Sequence, residues 1–208
     1  MPDDLSPTRQ PSREDEIRAA TVGEPAVLDA PIDLSEYDPE WPRRFARESE
    51  RIHAALGDRI VLLEHCGSTS VPGLAAKPVI DMVMTVADSS DEASYVPPLQ
   101  AAGYVLRIRE PDWWQHRCFK GPDGNVNLHV LSDGCPEVER MLLFRDTLRA
   151  DDAERRRYER TKRELAAQRW RYVQNYADAK SEVVEAIMAR ARELRSRSGG
   201  SARDSRRR

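Results

Sequence analysis

One stretch of the chain, HCGSTSVPGLAAKPVIDMVMTV, holds the residue types needed to handle a phosphate. Gly67 lets backbone approach an anion closely. Ser68 and Thr69 offer hydroxyls and N–H groups, and Lys77 supplies positive charge. Asp81, with twelve residues between it and Ser68, could hold Mg²⁺ or Mn²⁺ against phosphate oxygens. Plainer uses compete with each of these: Gly67 and Ser68 for a tight turn, Asp81 for an ion pair with Lys77 or an arginine. Asp81 interrupts an otherwise apolar run, where an unpaired buried carboxylate is costly. Lys77 precedes Pro78, which keeps it extended, and anion contact or a structural ion pair fits it equally. His65, at a strand end beside the loop, suits loop capping as well as a site.

His129 is the second pole. In NVNLHVL, Val126, Leu128 and Val130 alternate with Asn127 and His129, so the imidazole leaves the core face. With Asp81 it could bind one metal, assisted by Asn127, or it could be a hydrogen-bonded structural histidine. Arg145, Tyr158 and Lys162 fall in helical sequence. Tyr158 and Lys162 are four apart and share a face, from which they could reach phosphate or an acceptor across a cleft. Solvated or helix-pairing charges are the competing reading for all three. Trp113 and Trp114 could stack on a base or simply fill core or rim.

The elements that must position these residues are readable from periodicity. Trp41, Phe45, Ile52 and Leu56 recur at helical spacing behind Asp38, a good N-cap, and Gly57 ends the helix. Residues 60–65 predict a strand that stops at the Gly-Ser loop. Residues 79–86, apolar on both faces apart from Asp81, predict a strand inside a sheet. A short helix is expected from Pro97 to Ala102, then strands at 104–109, 114–120 and 125–131. GPDG between the last two marks a hairpin turn. From Pro136 onward the pattern is helical, at 137–148, 152–170 and 178–194. The order helix, strands, helices argues for an α/β (α+β) domain with a C-terminal helical group.

The 208 residues suffice for one well-buried domain. A charged fraction of 33% and a mean hydropathy of -0.70 describe an extensive charged surface. No run approaches the roughly 20 apolar residues of a membrane helix, and the polar N-terminus has no apolar signal core. The expectation is a cytoplasmic protein. A net charge of -3 gives no general argument for nucleic acid. Cys66, Cys118 and Cys135 fit no disulfide framework and read as reduced thiols. Residues 1–30, with four prolines among charges, predict a disordered arm. Residues 195–208, RSRSGGSARDSRRR, predict a disordered basic tail. The ordered domain is expected at 31–194.

HCGSTSVPGLAAKPVID resembles the signature of the GrpB family, H-x-G-S-T-(S/A)-V-P-G-(L/M)-x-x-K-P-x-I-D. YDPEWPRRF, NLHVL, LFRDTLRADDAERRRYERTK and YADAK fall in the order the family has them, so the similarity spans roughly residues 32–190. The resemblance implies a polymerase-β-like nucleotidyltransferase fold, a mixed sheet with helices whose Gly-Ser loop cradles nucleotide phosphates. It also implies an Asp-x-Asp strand and a third carboxylate binding two metals. Here Asp81 matches the first carboxylate, Val83 stands where the second belongs, and His129 replaces the third. Two residues apart on a strand share a face, so the lost carboxylate is lost from the site itself. GrpB-like domains also occur fused to dephospho-CoA kinases, with a proposed role in folding assistance. This chain has no kinase P-loop of its own. Two functions stay open. One is a metal-dependent nucleotidyltransferase, with Asp81 and His129 as catalytic metal ligands and Gly67, Ser68, Thr69, Lys77, Arg145, Tyr158 and Lys162 on the nucleotide or phosphorylated substrate. The other is a non-catalytic accessory or binding module.

Overall fold

The computed structural model describes residues 12–204, with side chains to residue 195. Five strands form one mixed sheet: β1 (Leu62–Cys66), β2 (Ile80–Val86), β3 (Val105–Glu110), β4 (His116–Lys120) and β5 (Val126–Ser132), in the order β1-β2-β5-β4-β3. β2 and β5 run parallel, while every other neighbouring pair is antiparallel. The interior place expected for β2 is observed, and residues 80–86 are buried at all positions except Asp81.

Strand alternation divides the sheet into two chemically different faces. Ile80, Met82, Met84, Val126, Leu128, Val130 and Phe119 point to one side. There they meet α2 (Trp41–Leu56) and α3 (Glu92–Ala101) in the main core. Trp41, Ile52 and Leu56 are the buried positions read from the helical spacing. Asp38 acts just upstream of α2, its carboxylate accepting from Glu40 N–H at 2.9 Å. α3 starts at Glu92, earlier than expected, with Pro97 and Pro98 inside it. Proline favours a first helical turn, and that preference misplaces the start.

The other face carries Cys66, Asp81, Val83, Asn127, His129, Cys118 and Lys120 and is covered by C-terminal helices. These are α4 (Pro136–Ala150), α5 (Asp152–Ala166), α6 (Val173–Ala179) and α7 (Ser181–Asp204). The helix expected at 178–194 is α7, preceded by the additional short helix α6, and α7 continues to Asp204, so residues 195–204 of the segment expected to be a disordered tail are helical. The Gly121–Gly124 turn joins β4 to β5, as its sequence predicts, through a Gly124 N–H to Gly121 carbonyl bond of 2.9 Å.

The N-terminal arm departs most from expectation. From residue 12 it is folded, and only 1–11 lie outside the described residues. Helix α1 (Glu14–Ala20) buries Ile17, Thr21 bridges Ile108, and Val22 N–H donates to Arg107 carbonyl at 2.8 Å. β3 is an edge strand, and its unpaired backbone groups take up the arm. Farther on, Leu28 N–H bonds Arg171 carbonyl, and Ala30 bridges Trp170. The composition of residues 12–30 gives no hint of these partners, all of which lie far along the chain.

Candidate functional site

β1 ends at Cys66 and the chain turns at Gly67, whose φ of +64° is a left-handed conformation. A side chain is excluded there for a second reason. A Cβ on Gly67 would lie 2.5 Å from Asp81 Oδ2, so the glycine lets the loop close directly over the carboxylate. A tight turn, Ser68–Ser70, follows and is held by Ser70 Oγ donating to Gly67 carbonyl at 2.6 Å. Thr69 is spent on this architecture. Its hydroxyl donates to Val79 carbonyl at 3.2 Å and accepts from His65 Nε2 at 3.0 Å. The Thr69 hydroxyl is thus engaged away from the phosphate contact expected of it, and His65 takes the loop-capping place. Burial pushes His65 down to about 4, so it is neutral at pH 7.

Loop, sheet face, α6 and the N-terminal arm together line a half-open cavity of about 600 Å³. Ser68, Asp81, Asn127 and His129 reach it from the loop, β2 and β5, and Ile17, Thr21 and Pro25 roof it from the arm. Four lysines converge on it: Lys77, Lys120, Lys162 and Lys180. Lys162 is 2% exposed and donates to Ala75 carbonyl. Burial, then the like charge of Lys180, pushes its ammonium down to about 7. Burial also lowers Lys180, which sits over the Tyr176 ring at 4.5 Å. Burial and Lys120 lower Lys77. Among the described residues none of the four has an ion pair. Tyr176 adds a buried hydroxyl without a hydrogen-bond partner among the described residues.

Asp81 Oδ1 accepts from Asn127 Nδ2 at 2.6 Å, across the direct register of β2 and β5. His129 stands opposite Val83, one step farther along the same face. Burial, then the neighbouring His116, pushes His129 down to about 4. The sequence-predicted pair therefore shares a cavity. It does not make the two-metal site that the resemblance implies. Val83 is fully buried against Cys66, Leu131 and Val138, so the second carboxylate position belongs to the core. Among the described residues no three His, Cys, Asp or Glu side chains are placed to hold a metal. Four neighbouring lysines oppose a divalent cation further.

Tyr158 stands behind the loop. Burial raises its phenol to about 12, opposed by hydrogen bonding to Ser68. Its expected partner on the helix face, Lys162, does reach the cavity. Arg145 does not. It lies on α4 and donates to Glu64 at 2.8 Å and to His65 carbonyl at 2.9 Å, which braces β1. Trp113 lines the cavity edge-on to His116, and Trp114 is 39% exposed outside it. His116 and Lys120 are cavity residues that sequence reasoning passes over, yet the hairpin turn carried their signal. Pairing around GPDG sets the 116, 118, 120 face of β4 beside Asn127 and His129. Lys180 and Tyr176, four apart at the end of α6, have no such signal.

The family described as GrpB protein matches residues 31–190. The chain belongs to the GrpB family. UPF0157 protein BH1888 of Halalkalibacterium halodurans is 56% identical over 181 residues, covering 87% of this chain and 93% of that one. A dephospho-CoA kinase of Mycolicibacterium paratuberculosis is 35% identical over 163 residues, 66% of this chain but only 40% of the kinase. Among solved structures, the conserved protein GrpB from Enterococcus faecalis superposes with a TM-score of 0.68 at 29% identity, over 76% of this chain and 96% of that one. The GrpB fold thus accounts for the sheet and its helices. Among the described residues no helix is long and apolar enough to cross a membrane.

Proposed function

We propose that this GrpB-family chain binds a nucleotide or another phosphorylated small molecule, with the phosphate seated between Ser68 and the ammonium groups of Lys77, Lys120, Lys162 and Lys180. One observation carries the reading: four lysines, buried or half-buried, line a single half-open cavity and none has an ion pair among the described residues. Burying a cation without a counter-ion is expensive. A phosphate removes that cost on arrival, so affinity comes from a defect kept in the free protein. Asp81, clamped by Asn127, lines the same cavity, favours the charged forms of Lys77, Lys162 and Lys180, and orients the ligand. The cavity volume of about 600 Å³ is within the range of small-molecule sites, roughly 300–1,000 Å³.

Binding without two-metal nucleotidyl transfer fits this chain best, because Val83 is core and the remaining donors are too few. The similarity to dephospho-CoA kinases favours the same side, since an accessory domain needs a ligand pocket and no chemistry of its own. Thermal unfolding with ATP, AMP, pyrophosphate and inorganic phosphate tests it, each with and without Mg²⁺ or Mn²⁺. A ligand at about 100 times its Kd stabilises by about 2.7 kcal/mol, a rise of roughly 5–10 °C for a chain this size. We expect that rise without divalent metal. A rise strictly dependent on metal, and lost in Asp81→Ala, would restore the transferase reading.

A further inference from the structure

His129 ends a chain of hydrogen bonds that begins on the edge of the sheet. His116 Nδ1 lies 2.8 Å from Glu110 Oε2, and His116 Nε2 lies 3.0 Å from His129 Nδ1. The two imidazoles lie within 20° of parallel, and His116 is 5% exposed. Donors and acceptors then follow in sequence. An ionised carboxylate only accepts, so His116 Nδ1 donates. With one proton on each ring, His116 Nε2 accepts from His129 Nδ1–H, and His129 Nε2 is left bare. That nitrogen has no partner among the described residues, and its ring is part of the cavity wall.

We propose that Glu110 and His116 are positioning residues that hold His129 as the Nδ1–H tautomer, so that its Nε2 lone pair accepts a hydrogen bond from a hydroxyl of the phosphorylated ligand. The ligand class narrows accordingly to phosphomonoesters that carry a free hydroxyl, with the anion on the lysines and the hydroxyl on His129. A cationic amine donor is disfavoured at this nitrogen by the lysine charges, as is a metal ion. The ligand half of the proposal rests on the phosphate reading of the cavity. The tautomer half does not.

Full-length protein labelled with ¹⁵N-histidine separates the two halves. Long-range ¹⁵N–¹H spectra at about pH 8, above the ordinary histidine range, report which nitrogen of each ring holds the proton. We expect the Nδ1–H pattern, the minor tautomer of free imidazole, for both His116 and His129. His116→Phe should release His129 to the Nε2–H form, and His116→Gln, whose amide oxygen can replace the lost acceptor, should restore Nδ1–H. Glu110→Leu, which removes the acceptor of His116 Nδ1–H, reads the same coupling should His116→Phe fail to fold, and it should move His129 toward the Nε2–H form. His129 found as Nε2–H in the unmodified protein overturns the proposal. So does Mn²⁺ that broadens His129 selectively and competes with ribose 5-phosphate, because Nε2 would then be a metal ligand. The binding readout is the ratio of affinities for ribose 5-phosphate and inorganic phosphate, which His116→Phe should lower about tenfold, the worth of one hydrogen bond. An unchanged ratio overturns the hydroxyl assignment. If neither compound binds at all, the phosphate reading falls, and the spectra still decide the tautomer.

Discussion

Two cationic hollows flank the Gly-Ser loop, and they treat their charges in opposite ways. The smaller, about 430 Å³, carries Arg145, Arg149 and Arg155 beside Tyr37 and Phe45. Every guanidinium there is engaged: Arg145 with Glu64 and Asp146 at 2.8 and 2.7 Å, Arg155 with Asp152 at 2.7 Å, and Arg149 with Ser70 carbonyl at 2.8 Å. The larger hollow carries four lysines with no acid paired to any of them among the described residues. A guanidinium fork suits fixed partners, whereas a single ammonium can turn toward whatever arrives. Charge by itself does not mark a site, since the arginines outwardly look as suited to phosphate. What sets the lysines apart, and supports the proposed phosphate seat, is charge buried without an ion pair.

The contrast breaks hardest at Gly67, which lines the lysine cavity and not the arginine hollow. In Gly67→Ala the new Cβ meets Asp81 Oδ2 at 2.5 Å on a backbone with φ of +64°. Left-handed strain and overpacking together should cost roughly 2–4 kcal/mol. Denaturant unfolding measures this, and a loss below about 0.5 kcal/mol, the scale of an ordinary surface substitution, would mean that the loop does not close over Asp81. Next comes Lys162→Met. It removes one buried charge that lacks an ion pair but also takes the donor from the Ala75 carbonyl, so the two effects offset and melting temperature should change little while pyrophosphate affinity falls roughly 10- to 100-fold, the worth of a charge-assisted contact. Calorimetric titration of both proteins decides it. A destabilised variant with unchanged affinity would make Lys162 a structural residue like the arginines.

Arg145→Met is the converse and should be milder. Glu64 is 41% exposed in its side chain, so solvent takes over part of the lost pairing. The cost should be about 1–2 kcal/mol, mostly from the His65 carbonyl left without its donor. Pyrophosphate binding should not change. Weakened binding at full stability would reinstate Arg145 as a ligand residue.

These contrasts also explain what sequence could and could not tell. Asp81, His129 and the loop stand out because each violates a local pattern, a charge in an apolar strand or a polar residue in an alternating one. The hairpin turn fixes register, so β4 and β5 are legible down to facing residues. Arg145 and Lys162 are indistinguishable in sequence, both cations on amphipathic helices, because their difference lies in partners that only tertiary packing supplies. Glu64 is 81 residues from Arg145, and Ala75 is 87 from Lys162. The arm fails for the same reason. Residues 12–30 have the composition of a loose segment, and their order comes from an edge strand and from α6, through contacts such as Ser12 N–H to Asp178. The nucleotidyltransferase pattern shows the opposite limit, since it marks Val83 only as a missing carboxylate, whereas the side chain packs against Cys66, Leu131 and Val138.

The mildest effect is also the one that separates the hollows without mutation. Arginine does not titrate in the accessible range, so the smaller hollow should be indifferent to pH above neutrality. Lys162 should not be, because burial and Lys180 hold it at about 7, down from 10.5. Between those values the unfolded chain binds more protons than the native one, so this group makes native stability rise with pH through that window. Its penalty is complete below pH 7, where both states are charged. A bound phosphate reverses the shift by favouring the charged form, and binding above pH 7 therefore takes up a proton. Pyrophosphate affinity should fall as pH rises from 7 toward 9, by at most about tenfold per unit, the limit for one proton. Titrations in buffers of different ionisation enthalpy measure the uptake directly. Lys162→Met should abolish both the uptake and the slope, whereas Arg145→Met should leave them as they are. A slope that survives in Lys162→Met would assign the proton to Lys180 or Lys77 instead, and no slope at all would place the phosphate out of reach of these lysines.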